Sequence, residues 1–167
     1  CLQTFPQPAN NACTNVSTLV PQASCQFTSA SLSGASISAP LPTCAGNASQ
    51  DVWYKFTATD STARIELEAK AGLNHGFEII EGSCTGTVLA CVNSNLSGYS
   101  ESYMNNQFHP GQTYFIRVFN AQAGLSTSSF GICVRSIEPS YCIPTAQISA
   151  SQTTVCQSTT VTFTASI

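Results

Sequence analysis

Charge is what this sequence has least of. Asp, Glu, Lys and Arg together make up 8% of its 167 residues, against about 25% in an average soluble domain. The five basic residues (Lys55, Arg64, Lys70, Arg117, Arg135) are scattered and the net charge is −3. Nucleic-acid partners are thereby excluded, since neutralising phosphates requires concentrated positive charge. Anionic membrane surfaces are disfavoured for the same reason. No apolar run approaches the ~18 residues that span a bilayer, so direct membrane insertion is not expected. The first residues also lack a charged-then-apolar leader, which predicts a mature form or an excised piece of a longer chain.

Long helical periodicity is missing too. No segment offers ten residues of 3.6-residue patterning without a Gly, Pro or β-branched interruption. Equally absent are C-x-x-C pairs and a G-x-S-x-G elbow, the first excluding zinc-ribbon and thioredoxin-type chemistry and the second a common hydrolase framework. His75 falls near Glu78 and Glu81, and His109 heads a Pro-Gly turn. Both read as solvated loop histidines, and no catalytic residue is assigned. Glu66 and Glu68, two apart on an alternating strand, read as the solvent face rather than as a glycosidase pair.

What the chain does have is cysteine and short β-type runs. Nine cysteines (Cys1, Cys13, Cys25, Cys44, Cys84, Cys91, Cys133, Cys142, Cys156) at this density belong to an oxidising compartment. The spacing of Cys84 and Cys91 predicts a disulfide across a hairpin. Cys25 with Cys44 and Cys13 with Cys133 complete the expected set, although spacing alone does not fix connectivity. The odd count leaves one cysteine over, and Cys156 is the candidate.

Strands are predicted at 51–57 (DVWYKFT), 63–68 (ARIELE), 76–81, 87–92, 113–119 (TYFIRVF) and 129–135, each bounded by turn residues. Val52, Tyr54 and Phe56 share one face of the first, as do Tyr114, Ile116 and Val118 in the fifth. The fifth is apolar on most of both faces and is expected to be central. Trp53 is expected to pack between sheets with its indole N–H satisfied, sugar stacking being the alternative. Many short strands at regular spacing give the fold class: an all-β jelly-roll sandwich stapled by disulfides. Its domain is expected over 1–137, with a linker at 138–144. At 145–167 begin the first strands of a second, immunoglobulin-like β domain, too few to bury a core alone.

The order of motifs supports a family resemblance. Asn11-Ala12-Cys13 is followed by Asp51-Val52-Trp53-Tyr54-Lys55-Phe56, Glu81-Gly82-Ser83-Cys84 and Leu89-Ala90-Cys91. Then come the stretch from Pro110 to Val118 and Phe130-Gly131-Ile132-Cys133-Val134. This string resembles the pre-peptidase C-terminal-like jelly-roll modules of large secreted surface proteins of gliding, type IX-secreting bacteria. The tail, from Pro144-Thr145-Ala146 to Val161-Thr162-Phe163-Thr164, resembles the start of a polycystic-kidney-disease-type (PKD) repeat. Both resemblances imply adhesion, targeting or spacing on a secreted or outer-surface protein rather than catalysis.

The resemblance also implies calcium-binding carboxylates at two places, which here hold Asn74-His75-Gly76 and Val92-Asn93-Ser94. Calcium prefers several carboxylate oxygens, so the site is disfavoured and no cofactor or metal is expected. Asp60-Ser61-Thr62 resembles the O-glycosylation acceptor of the same bacteria, with Ser61 as the modified residue. The stretch 93–107 is polar and carries Tyr99, Glu101 and Tyr103. These three are the expected ligand contacts, since loops on a rigid scaffold commonly carry recognition. Partners are then a surface glycan or protein, besides the neighbouring β domains of the same chain. Two functional readings stand beside adhesion: a carbohydrate-binding accessory module for an attached enzyme, and a pure spacer.

Overall fold

A computed structural model describes residues 5–68, 72–138, 147–150 and 162–166. The aromatic and β-branched runs form two sheets facing each other. A five-stranded sheet has the order β1-β3-β8-β5-β6 and a four-stranded sheet the order β2-β9-β4-β7. The strands are β1 Ser17–Thr18, β2 Thr28–Ser31, β3 Gln50–Thr57, β4 Ala63–Leu67, β5 His75–Glu81 and β6 Val88–Val92, followed by β7 Glu101–Asn105, β8 Thr113–Asn120 and β9 Ser129–Ser136. From β3 onward the chain repeatedly crosses between sheets, the connectivity of a jelly roll. One 3-10 turn, Cys13–Asn15, is the sole helical element among the described residues.

Among the described residues the strands pair antiparallel, except β1 with β3, and an isolated parallel bridge joins Gln22 to Arg135 of β9. β8 is the middle strand, bonded along its whole length to β3 and also to β5, as its apolar character on both faces predicts. Its preceding turn works as the sequence implies. Gly111 takes φ +85° and donates its N–H to Ala58 O, while the His109 N–H donates to the buried Tyr114 hydroxyl at 2.9 Å.

Alternation fills the space between the sheets. Val52, Tyr54 and Phe56 of β3 meet Tyr114, Ile116 and Val118 of β8 and Phe77 and Ile79 of β5, with Ile65 and Leu67 of β4 and Phe130, Ile132 and Val134 of β9 opposite. Phe56, Phe108 and Tyr114 form an aromatic knot with centroids 4.8–5.6 Å apart. Fully burying each such side chain contributes about 1.5–3 kcal/mol.

Several expectations need correction. The same six cysteines pair differently: Cys13–Cys84, Cys25–Cys133 and Cys44–Cys91. Cys84 lies in the β5–β6 turn whereas Cys91 stands opposite Glu78, further down the hairpin, so the two cannot face each other. Cys13 lies beside β3 in one sheet and Cys133 belongs to β9 in the other. Cys25 likewise belongs with β9, and Cys44 with β6. Each bond therefore ties an irregular N-terminal segment to the sandwich body.

His75 is a strand residue, 1% exposed and stacked on Phe130, not a solvated loop residue. Trp53 is buried with its indole N–H donating to Ser38 Oγ, yet on the outer side of its sheet rather than between sheets. Residues 101–105 are an edge strand, not loop.

Cys156 and most of the expected linker lie outside the described residues. Beyond it, β10 Gln147–Ala150 and β11 Phe163–Ser166 pair antiparallel.

Candidate functional site

Among the described residues, the outer face of the five-stranded sheet gathers three buried charged side chains. Asp51 (β3), Arg117 (β8) and Glu78 (β5) project there from three adjacent strands and are almost wholly buried. Ordinary alternation puts them there, since their neighbours Val52, Val118 and Phe77 point into the core. What buries them is the segment 36–44, laid across the face.

The fastening is dense. Arg117 Nε donates to Asp51 Oδ2 at 2.6 Å, Nη1 to Pro40 O at 2.7 Å, and Nη2 to Ser38 O. Asp51 also accepts from the Ser38 N–H at 3.0 Å and the Ser38 hydroxyl at 2.9 Å. Glu78 Oε1 accepts from the Thr43 N–H at 2.8 Å and its hydroxyl at 3.2 Å. The guanidinium carbon sits 5.4 Å from the Trp53 ring centre, a cation–π contact. Cys44–Cys91 closes the far end of the segment.

Beside this cluster is a cavity of ≈ 530 Å³, within the size range of small-molecule sites. Trp53, Ile80, Val88, Pro40 and Leu41 supply apolar wall. Glu78 and Arg117 supply the polar floor, and the Cys13–Cys84 disulfide borders it. The tight β5–β6 turn at its rim depends on Gly86, where a Cβ would lie 1.8 Å from Glu81 O. Composition hid this site, because its charges come from strand positions far apart in sequence. The available signal was Arg117 itself, an arginine inside an otherwise apolar strand.

The three expected ligand contacts are not brought together. Tyr99 is 64% exposed in the connection before β7. Glu101 is 1% exposed and accepts from the Asn95 N–H at 2.6 Å, so it closes the 95–100 loop. Tyr103 shares Glu101's inward side of the edge strand and packs against the core. Ser61 is exposed and borders a second, shallower depression with Glu81, Asn105 and His109. The adjacent Asp60 carboxylate accepts from the Ser136 and Thr59 hydroxyls.

The segments at 74–76 and 92–94 do not fit calcium. Asn93 Nδ2 donates to Cys44 O and the Asn74 carbonyl accepts from the Ala121 N–H, while the side chains present are neutral. Burial lowers the His75 pKa below its ordinary value of 6.5, the Leu73 and Leu67 backbone offsetting part of that effect. Among the described residues one cluster has metal-ligand proximity, Cys25, Glu66 and Cys133, and its two sulfurs are joined in a disulfide.

Comparison with known proteins places the chain. No curated protein matches it. The pre-peptidase C-terminal domain of a Bacillus anthracis collagenase is similar, at TM-score 0.46 and 12% identity, over 79% of this chain and 99% of that one. Aeromonas hydrophila PliG, a periplasmic inhibitor of g-type lysozyme, is similar at TM-score 0.38 and 10% identity, over 71% and 96%. A family model described as galactose binding domain-like and associated with type IX secretion matches residues 9–132, well over half of the sequence, and the chain belongs to that family.

Proposed function

We propose that the chain is a module of a large multidomain bacterial surface or secreted protein and serves adhesion or display. At the coarser level it is an extracellular, binding-type domain, by its family and its three disulfides. One observation carries the finer reading. The buried charged groups of the outer face and the Cys44–Cys91 disulfide fasten one surface segment, and the other two disulfides fasten further ones, so the polar chemistry rigidifies a scaffold instead of activating a nucleophile. Arg117, Asp51 and Glu78 spend their hydrogen bonds on Ser38, Pro40 and Thr43. Continuation into the β10–β11 pair, with the PKD resemblance of that tail, supports a tandem array of β domains.

A second reading, a carbohydrate-binding accessory module, is favoured by the description of the family. Tyr99 is then the exposed contact to test, and a pure spacer needs no contact at all. The deciding experiment is a binding screen of the oxidised protein against polysaccharides, galactosides and bacterial or host surfaces. Saturable binding to cell surfaces that galactosides do not compete supports adhesion. Saturable glycan binding lost in Tyr99→Ala, with stability unchanged, supports the carbohydrate reading. Silence across the whole panel sinks both and leaves the spacer.

A further inference from the structure

We infer that the cavity beside Trp53 and Glu78 binds a primary ammonium group carried on an apolar stem, either a free alkylamine or a lysine side chain of a partner protein. The inference does not rest on the adhesion reading, because it follows from the hydrogen-bond inventory of the cavity floor. Both oxygens of Asp51 are occupied, Oδ1 by the Ser38 hydroxyl and Oδ2 by the Ser38 N–H and Arg117 Nε. Arg117 donates three of its five N–H groups, to Asp51, Pro40 O and Ser38 O. Glu78 Oε1 is occupied by Thr43.

Glu78 Oε2 is the exception. Its neighbour, Arg117 Nη1, stands 3.6 Å away, too far for a hydrogen bond. The side chain is 4% exposed and lines the cavity. Among the carboxylate oxygens of the floor Glu78 Oε2 is therefore the under-used acceptor, and an occupant bonding to it must bring a donor.

Charge selects among donors. Two carboxylates and one guanidinium lie buried together, one negative charge in excess, and Arg117 is held closest to Asp51 at 2.6 Å. An uncompensated buried carboxylate favours a cation. An anion would add to that excess of negative charge. The apolar wall of Trp53, Ile80, Val88 and Leu41 takes an alkyl stem, as pockets with a few polar groups in an apolar lining commonly do.

The test is a titration of the oxidised chain, followed by heteronuclear NMR, with n-butylammonium, n-butanol, butyrate and the tripeptide acetyl-Gly-Lys-Gly-amide. Saturable shifts at the Trp53 indole and the Val88 amide are expected with a cation, at least tenfold tighter than with butanol. Binding by butylammonium alone identifies a free amine as the source. Binding by the tripeptide identifies the lysine side chain. Glu78→Gln should weaken the cation at least tenfold. Val88→Phe, at a rim position 40% exposed, should block it while leaving Glu78 and the fold intact. Equal binding of butanol, preference for butyrate, or no perturbation of the Trp53 indole by either cation overturns the inference.

Discussion

Arg117 Nε and Asp51 Oδ2 lie 2.6 Å apart on neighbouring strands, on side chains 4% and 0% exposed. In the β3–β8 register Asp51 stands opposite Phe119 and Arg117 opposite Trp53, so the pair is diagonal across one sheet face. Removing Arg117 strands two buried carboxylates, at a cost of about 3–5 kcal/mol, whereas removing Asp51 leaves Arg117 beside Glu78. Arg117→Ala should lower the unfolding free energy by that amount and Asp51→Ala by less, each read as a lower urea midpoint with an unchanged m-value. The double variant should lose less than the sum of the two, because once Arg117 is gone Asp51 has lost its partner. Additive losses would mean that the two side chains act separately on segment 36–44.

His75 predicts how stability depends on pH. Its folded pKa lies below the ordinary 6.5 because burial disfavours the charged ring. Below about 6.5 the unfolded chain therefore binds more protons than the folded one, so stability rises with pH across that window. Stability is full above the unfolded pKa and is lost as pH falls toward the folded value. Denaturation midpoints at pH 7.5 and 5 should show the drop, and His75→Phe, which keeps a ring against Phe130, should flatten it between those values. An unchanged slope in the variant would assign the pH dependence to carboxylates.

The core was legible in the sequence because alternation with period two fixes which side chain faces inward once a strand is placed. Val52-Tyr54-Phe56, Ile65-Leu67 and Tyr114-Ile116-Val118 all pack as their pattern predicts. Three strands were not legible. β1, β2 and β7 (ST, TSAS, ESYMN) are short and polar, and they are strands because a neighbour offers hydrogen bonds, not because of their own propensity. The outer-face cluster was hidden for another reason. Asp51, Trp53, Glu78 and Arg117 sit at the positions that alternation marks as solvent-facing, and segment 36–44, which has no periodicity, covers them. His75 misled similarly, its burial coming from Phe130, 55 positions away.

The boundary after β9 can be tested directly. Ile137 still donates its N–H to Thr62 O, so the sandwich holds the chain to that residue, and the composition break at Glu138-Pro139-Ser140 follows at once. Limited proteolysis should cut between 138 and 146 and leave 5–138 resistant, with an unchanged thermal midpoint. Coupled melting of the sandwich and the residues beyond 146 would instead make the two one unit.

The disulfide map yields the sharpest comparison. A non-reducing digest should release the linked peptides Cys13–Cys84, Cys25–Cys133 and Cys44–Cys91, and a Cys84–Cys91 peptide would contradict the fold. The bonds close sequence separations of 108, 71 and 47 residues for Cys25–Cys133, Cys13–Cys84 and Cys44–Cys91. If each acts by restricting the unfolded chain, paired replacement by serine should cost about 4–5 kcal/mol, in the order of those separations and differing by less than about 1 kcal/mol. Cys44–Cys91 has a second task, because it closes the segment that covers Arg117 and Glu78. If its loss is the largest of the three, the bond acts in the folded state by keeping that buried charge cluster dry. Tryptophan fluorescence then provides an independent reading: Trp53, which lies under the same segment, should shift to the red in Cys44→Ser/Cys91→Ser and not in Cys25→Ser/Cys133→Ser.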